Sequence, residues 1–289
     1  MKLVRDLSLT RWQKIILSTI IFLTLTLIVL DNIYDIFIKE NTLNCLCQEE
    51  KNLRLEEKGI LSDKLKAKEY LNQNFPEIKY AQVWQELNDP EELKNITLPE
   101  NFVMKYSAGA RMFELVTNNK YEINDLIKKA KSYTNMKYST KGYRNIPFLN
   151  LKEPHYDYNK NPKVFIEEFL EGICEFRIMM ATGKILYCEK YKNKNVEIYD
   201  KDWNEIPNQS TKKISKLEKN TKPKCLDKIL EFCKNFYEKE KFNLIRMDFY
   251  LNQEEDQFYF GEFTFTPENC RKKYTKEFNK KYRELINFI

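Results

Sequence analysis

The sequence is poor in histidine, glycine and proline: one His, six Gly and nine Pro among 289 residues. A single imidazole cannot build a multi-histidine zinc site, and any Ser-His-Asp or Cys-His arrangement would have to run through His155. Low glycine and proline, with 42% hydrophobic and 14% aromatic residues, exclude disordered and low-complexity classes and leave one or two globular domains. The seven cysteines, at 45, 47, 174, 188, 225, 233 and 270, are odd in number and include no C-x-x-C pair. Neither a zinc knuckle nor a disulfide framework is expected, and they read as small buried side chains. An excess of one charge sign is also lacking. Forty-nine Lys+Arg against 43 Asp+Glu give +6, spread along the chain instead of gathered in a basic stripe, which argues against nucleic acid as a partner. The chemistry must rest on carboxylates and lysines.

What is present begins with an apolar run. Ile15 to Leu30 are sixteen residues without a charge, reaching about 24 Å as a helix against a hydrocarbon core of about 30 Å. Residues 1–40 therefore read as a basic flank and a single membrane anchor, with the membrane as a partner. Lys2, Arg5, Arg11 and Lys14 precede the run and Asp31, Asp35 and Glu40 follow it, so the N-terminus is expected in the cytoplasm and a full span would export the rest.

Downstream, the charged run 48–58 reads as a solvated helix or linker, and Ser62-Asp63 caps a surface helix to about Phe75. A short strand is expected at 102–105 before the small-residue loop Ser107-Ala108-Gly109-Ala110, then a helix over 123–133. Residues 137–162, with Gly142, Pro147 and Pro154, read as irregular. Strands are expected at about 164–170, 175–181, 185–191, 196–200, 244–251 and 257–265. An amphipathic helix over Leu226 to Tyr237 interrupts them, and a last helix covers 275–288. This order of elements indicates an α+β fold.

Two of these strands carry acids where chemistry is plausible. In Ile245 to Leu251 the two-residue period puts Ile245, Met247, Phe249 and Leu251 on one face and Arg246, Asp248 and Tyr250 on the other. In Phe260 to Phe265 it sets Glu262 and Thr264 opposite Gly261, Phe263 and Phe265. A polar turn joins the strands, so an antiparallel hairpin brings Asp248 and Glu262 together. Adjacent carboxylates repel unless a proton or cation lies between them, and hard oxygen donors suit Mg²⁺. Upstream, Val164 to Leu170 is a strand running into Gly172, and Glu175 and Arg177 share a face of the next strand. With Lys105 these are parts for nucleotide binding: a cation for phosphates, a strand edge for adenine, an acid for ribose and a metal hairpin.

The succession of Lys105 before a small loop, Glu167-Glu168-Phe169-Leu170-Glu171-Gly172, Glu175-Phe176-Arg177, Arg246-x-Asp248-x-Tyr250 and Gly261-Glu262-x-Thr264-x-x-Pro267 resembles the ATP-grasp fold. More closely it resembles the TupA-like branch, associated with bacterial surface-polysaccharide and teichuronopeptide synthesis and often labelled glycosyltransferase. The resemblance covers residues 61–267, with supporting matches at Leu61-Ser62-Asp63-Lys64, Leu98-Pro99-x-x-Phe102-Val103, Glu153-x-His155-Tyr156 and Tyr199-Asp200-x-Asp202-Trp203. It implies ATP and Mg²⁺ as cofactors. Asp248, Glu262 and Thr264 would be the metal ligands. Lys105 and Arg177 would hold phosphates, the main chain of Glu168, Phe169 and Leu170 the adenine, and Glu175 the ribose. Arg246 would stabilise the acyl phosphate or tetrahedral intermediate. The implied divisions are a linker and reduced N-terminal region at 41–100, a small subdomain and hinge at 101–170, and a C-terminal subdomain with the metal hairpin at 171–289.

Two loops depart from the family pattern. Tyr106-Ser107-Ala108-Gly109-Ala110-Arg111 stands where His and Ser-Gly are usual, and Glu268-Asn269-Cys270-Arg271 where a Gly-Ser-Gly type loop is usual. The function expected is an ATP-dependent carboxylate-amine ligase acting on an acidic sugar or peptide precursor of a surface polysaccharide, alongside other polysaccharide-assembly proteins. ATP chemistry favours a catalytic part on the cytoplasmic face of the membrane, an ATP-containing lumen being the other option. The alternatives are a sugar-nucleotide glycosyltransferase with its metal at Asp200-Lys201-Asp202, and a non-catalytic scaffold.

Overall fold

The computed structural model describes residues 10–39, 42–135, 153–192, 195–206, 221–272 and 274–286. Most of the stretch expected to be irregular, up to residue 152, lies outside the described residues. The apolar run falls in a first helix, α1 (Arg11–Lys39), but it does not make a membrane anchor. Among the described residues no helix is long and apolar enough to cross a membrane. The physical reason is local: Ser18, Thr19, Thr24 and Thr26 interrupt the sixteen-residue run, and charged residues close in at both ends. The three threonine hydroxyls donate to carbonyls one turn back, at 3.0, 2.8 and 2.8 Å. Ile16, Phe22 and Leu25 are exposed.

Three short helices follow: α2 (Thr42–Glu50), α3 (Leu55–Ser62) and α4 (Lys64–Asn74). The Asp63 side chain caps α4 by accepting from the Leu65 and Lys66 amides at 2.9 and 3.1 Å. Neither α3 nor α4 is a solvated helix. Lys58, Leu61, Leu65, Ala67, Lys68 and Leu71 are buried, because both helices pack beneath strands contributed by distant sequence.

The first sheet has order β1-β4-β2-β3, built from β1 (Val83–Leu87), β2 (Phe102–Tyr106), β3 (Phe113–Val116) and β4 (Val164–Glu168), antiparallel at each junction. Helix α5 (Ile123–Thr134) covers it with Leu126, Ile127, Ala130 and Tyr133. The second sheet has order β7-β6-β5-β8-β9, also antiparallel, from β5 (Cys174–Ala181), β6 (Lys184–Lys192), β7 (Asn195–Tyr199), β8 (Leu244–Leu251) and β9 (Phe258–Thr264). Helix α6 (Leu226–Glu240) lays Leu226, Ile229, Phe232, Cys233 and Phe236 against its lower face, where Phe176, Ile178, Met247, Phe249 and Phe263 complete the main core. A last helix, α7 (Lys276–Ile286), packs with α2 beside Leu186, Tyr187 and Ile198.

Residues 79–82 are bonded to both sheets. The Phe260 amide donates to the Lys79 carbonyl at 2.7 Å, and the Glu168 amide to the Gln82 carbonyl at 2.8 Å. The cysteines give one departure from expectation: Cys47 and Cys270, 223 residues apart, form a disulfide. Cys188, Cys225 and Cys233 are buried thiols.

Candidate active site

The alternation of β8 turns Met247, Phe249 and Leu251 into the core and Arg246, Asp248 and Tyr250 toward the opposite face. Asp248 pairs directly with Glu262 of β9, Met247 with Phe263, and Arg246 with Thr264. This register depends on a bulge between Asp248 and Phe249, opposite Gly261. A Cβ on Gly261 would lie 3.0 Å from the Asp248 carbonyl oxygen, so a larger residue there would press on the Asp248 main chain. The bulge lets Phe260 and Phe263 both enter the core while Glu262 stays beside Asp248.

Arg246 grips Asp248 with a two-pronged contact, Nε to Oδ1 at 2.7 Å and Nη2 to Oδ2 at 2.6 Å, and also donates to the Thr264 hydroxyl at 3.2 Å. Lys64, the first residue of α4, sets its ammonium 3.5 Å from Glu262 and donates to the Gly109 carbonyl at 2.8 Å. Burial opposes ionisation of Glu262, but Lys64, Arg246, Lys105 and Arg177 outweigh it and hold the carboxyl below its ordinary range. Burial pushes the Asp248 carboxyl upward, against the pull of Arg246.

The same row continues across the sheet. Arg177 of β5 stands beside Asp248 on one side and Glu189 of β6 on the other. It lies 3.5 Å from Asp248 and donates to Glu175 at 2.8 Å and to the Tyr191 hydroxyl at 2.7 Å. Glu189 is buried and paired to Lys272; burial raises its carboxyl, but Lys272 and the nearby arginines hold it ionised, below its ordinary range.

Above this face lies a cavity of about 580 Å³ between the two sheets. Its lining includes Lys64, Lys105, Phe169, Leu170, Arg177 and Tyr250. Lys105 does not stand free. Its ammonium pairs with Glu167, whose other oxygen takes Lys68 of α4. Burial raises the Glu167 carboxyl, but the two lysines overcome it and hold it low. Burial likewise lowers Lys105, but Glu167, Tyr250 and Glu262 overcome it. Lys68 shares its carboxylate with the neighbouring Lys105 ammonium, so burial outweighs Glu167 and its pKa is lowered. At the end of β4, Glu168 also accepts from the Gln82 amide at 3.2 Å.

The structure thus brings Lys105, Glu168, Phe169, Leu170, Glu175, Arg177, Asp248 and Glu262 to one cavity. Arg246 and Thr264 sit just behind the carboxylates instead of in its lining. The family model described as TupA-like ATPgrasp matches residues 43–287. The chain belongs to this TupA-like ATP-grasp family.

The match extends past both ends of the 61–267 resemblance, taking in most of α2 and all of α7. Solved structures similar to this TupA-like chain include a D-alanine-D-alanine ligase from Helicobacter pylori, 18% identical over 73% of this chain and 56% of that one, with a TM-score of 0.43. An L-amino acid ligase from Bacillus licheniformis is 13% identical over 70% of this chain and 42% of that one, with a TM-score of 0.43. An N5-carboxyaminoimidazole ribonucleotide synthetase in complex with ADP is 10% identical over 73% and 46%, with a TM-score of 0.44. The TupA-like chain spans about half the length of these proteins. No curated protein matches it significantly.

Among the described residues no group of three or more His, Cys, Asp or Glu side chains forms a metal cluster. The donor set present is two facing carboxylates, which fits Mg²⁺, since that ion takes one or two carboxylates and completes its shell with water and phosphate oxygens. The Thr264 hydroxyl accepts from Arg246. The sequence reading missed Lys64, Glu167, Lys68, Glu189 and Lys272. Lys64 lay in the quoted Leu-Ser-Asp-Lys match, where the position after an N-cap could have marked it, and Glu167 opened the quoted Glu-Glu-Phe-Leu-Glu-Gly run; the roles of Glu167, Lys68, Glu189 and Lys272 depend on partners far away in sequence. His155 is packed against Tyr156 and Phe265, and burial lowers it to about 3, so it is a neutral core imidazole. The Asp200-Lys201-Asp202 turn is self-satisfied: Asp200 accepts from the Asp202 and Asn204 amides at 3.0 and 2.8 Å, and Asp202 pairs with Lys201.

Proposed function

We propose that this chain is an ATP- and Mg²⁺-dependent carboxylate-amine ligase that modifies an acidic sugar or peptide precursor of a surface polysaccharide. The observation carrying this reading is the in-register pair Asp248–Glu262, gripped by Arg246 and facing a cavity lined with Lys64, Lys105 and the 168–170 hinge. Two carboxylates amid at least four cations suit a polyanion with a divalent ion better than any neutral ligand. Membership of the TupA-like family supports the polysaccharide assignment.

In this reading the main chain of Glu168, Phe169 and Leu170 holds adenine, and Glu175 the ribose. Lys105 and Lys64 hold the phosphates. Asp248 and Glu262 hold Mg²⁺, which, when bound, offsets charge on the phosphate oxygens. A substrate carboxylate oxygen attacks the γ-phosphorus, the bond to ADP breaks, and an acyl phosphate forms. An amine then attacks the acyl carbon, its nitrogen loses a proton, and inorganic phosphate leaves. Arg246 and Arg177 are fixed cations beside these centres, and no nucleophilic side chain is needed.

The test is binding of Mg-ATP to the purified chain by calorimetry, with ADP release measured on adding candidate acids and amines. Asp248→Asn combined with Glu262→Gln should weaken Mg-ATP binding by about 100-fold or more, some 3 kcal/mol. Unchanged affinity in that double variant refutes the ligase reading.

A further inference from the structure

The loop after β9 is held from outside by the N-terminal helix α2. Glu268, Asn269 and Cys270 have φ of 51°, 53° and 59°, three successive left-handed residues of which none is glycine. Side chains with a Cβ avoid this region, and such a run persists only where its surroundings impose it. Inside the loop two amides close it: Asn269 N to Thr266 O at 2.8 Å and Arg271 N to Glu268 O at 3.2 Å. From outside, Asn44 donates to the Lys272 carbonyl at 2.7 Å and Cys47 is bonded to Cys270. Asn44 and Cys47 are three residues apart on one face of α2, so a single helix face holds the loop at two points.

One end of this loop reaches the charged row: Lys272 pairs with Glu189, which stands beside Arg177. At the other end Thr266 donates to Glu153. None of residues 266–272 lines the nucleotide cavity. The loop therefore bears on the charged row through Glu189, from outside the cavity lining.

We propose that the Cys47–Cys270 disulfide is a redox-controlled clasp that fixes the 266–272 loop beneath Glu189 and leaves the nucleotide side untouched. The inference rests on the ligase reading for the nucleotide, but the clasp itself rests on the loop. A dithiol reductant opens it by exchange: one reductant sulfur attacks a protein sulfur, the S–S bond breaks, the mixed disulfide resolves internally, and two protein thiols and one oxidised dithiol result. Without the bond, α2 keeps the Asn44 hydrogen bond and the packing of Leu43 and Leu46 but loses its covalent hold on the loop. The left-handed run relaxes, and Lys272 and Thr266 loosen from Glu189 and Glu153.

The experiment uses the full chain equilibrated with oxidised or reduced dithiothreitol. Alkylation with peptide mapping reads the thiols, amide hydrogen exchange reads the loop, and calorimetry with Mg²⁺ and a non-hydrolysable ATP analogue reads the nucleotide side. Oxidised protein should yield Cys47 and Cys270 in one linked peptide, with Cys45 alkylated. Reduction should speed exchange at Asn269 and Arg271 by about tenfold or more, with β8 amides unchanged. Analogue affinity should stay within about twofold. Cys47→Ser should reproduce the reduced state without reductant, and Cys45→Ser should leave the response intact. Absence of the linked peptide, unchanged loop exchange on reduction, or faster exchange throughout β8 each overturns the clasp. The last outcome makes the bond a global staple. No analogue binding in either redox state, with the loop response intact, refutes the ligase reading alone.

Discussion

Glu167→Gln isolates the physics of the cavity floor. Glu167 is nearly fully buried and neutralises two ammonium groups at once, Lys105 through Oε1 and Lys68 through Oε2. A unit-charge pair about 4 Å apart contributes about 4 kcal/mol at an effective permittivity of 20. Two such attractions are lost and two cations are left facing each other, offset by the smaller cost of burying an amide. Removing one partner of a buried ion pair generally costs about 3–5 kcal/mol, and the upper half of that range applies here because two ammoniums lose their counterion. Lys68→Met should cost less. Glu167 keeps Lys105 as a counterion, but the Ala81 carbonyl loses its 2.7 Å partner, so about 1–3 kcal/mol is expected. The signs with pH follow from the same directions. Glu167 has a folded pKa below its ordinary 4.5, so its contribution is complete above that value and is lost as pH falls through the folded one. Lys105 has a folded pKa above 10.5, so its contribution is complete below 10.5 and is lost as pH rises through the folded one. The cost of Glu167→Gln should therefore be flat from about pH 5 to 10 and shrink in acid. Urea denaturation of the three proteins across that range is the assay. A cost below about 1 kcal/mol for Glu167→Gln, or a larger cost for Lys68→Met than for Glu167→Gln, refutes the reasoning.

Two further outcomes are expected. Gly261→Ala places a Cβ 3.0 Å from the Asp248 carbonyl oxygen; it should cost about 1–3 kcal/mol in urea and weaken Mg²⁺-dependent binding of an ATP analogue, because the carboxylates lose register. A fully active alanine variant would count against the bulge. Glu153 is pushed up to about 7 by burial, so unfolded carboxyl ionises first as pH rises and stability falls between about pH 4.5 and 7, by about 3 kcal/mol at most. Glu153→Gln should then stabilise the protein at pH 8 and change little at pH 4; equal effects at both pH values would refute the assigned burial.

The readable part of the sequence was the part with strict two-residue alternation. Strands β8 and β9 could be faced correctly from Met247, Phe249 and Phe263 alone, and with them Asp248 and Glu262. The bulge was not readable, since plain alternation would put Phe260 on the acid face; only Gly261 hinted at it. Strands β1 and β3 were missed because Val83–Leu87 and Phe113–Val116 are short and mix exposed with buried positions. The run 48–58 reads as solvated because it is charged, and α4 as a surface helix because its apolar positions Leu65, Tyr70 and Leu71 are sparse, yet Lys58 and Lys68 are buried. Their counterions, the Glu50 and Glu167 carboxylates, come from other elements. The long apolar run misled in the other direction, since its helical state was expected but its hydroxyls and flanking charges leave it short of a span. The disulfide was unreadable because no spacing rule relates cysteines 223 residues apart.

Residues 79–82 have a mechanical consequence. Tyr80 bridges Phe260 at the bulge, Lys79 takes the Phe260 amide, Ala81 takes the Lys68 ammonium at 2.7 Å, and Gln82 takes the Glu168 amide. Four consecutive peptides thus form a tether from β9, beside Glu262, to the end of β4 at Glu168. A displacement of one sheet against the other would load this tether at the Phe260–Gly261 bulge, so the width of the cavity and the spacing of Asp248 and Glu262 are mechanically linked.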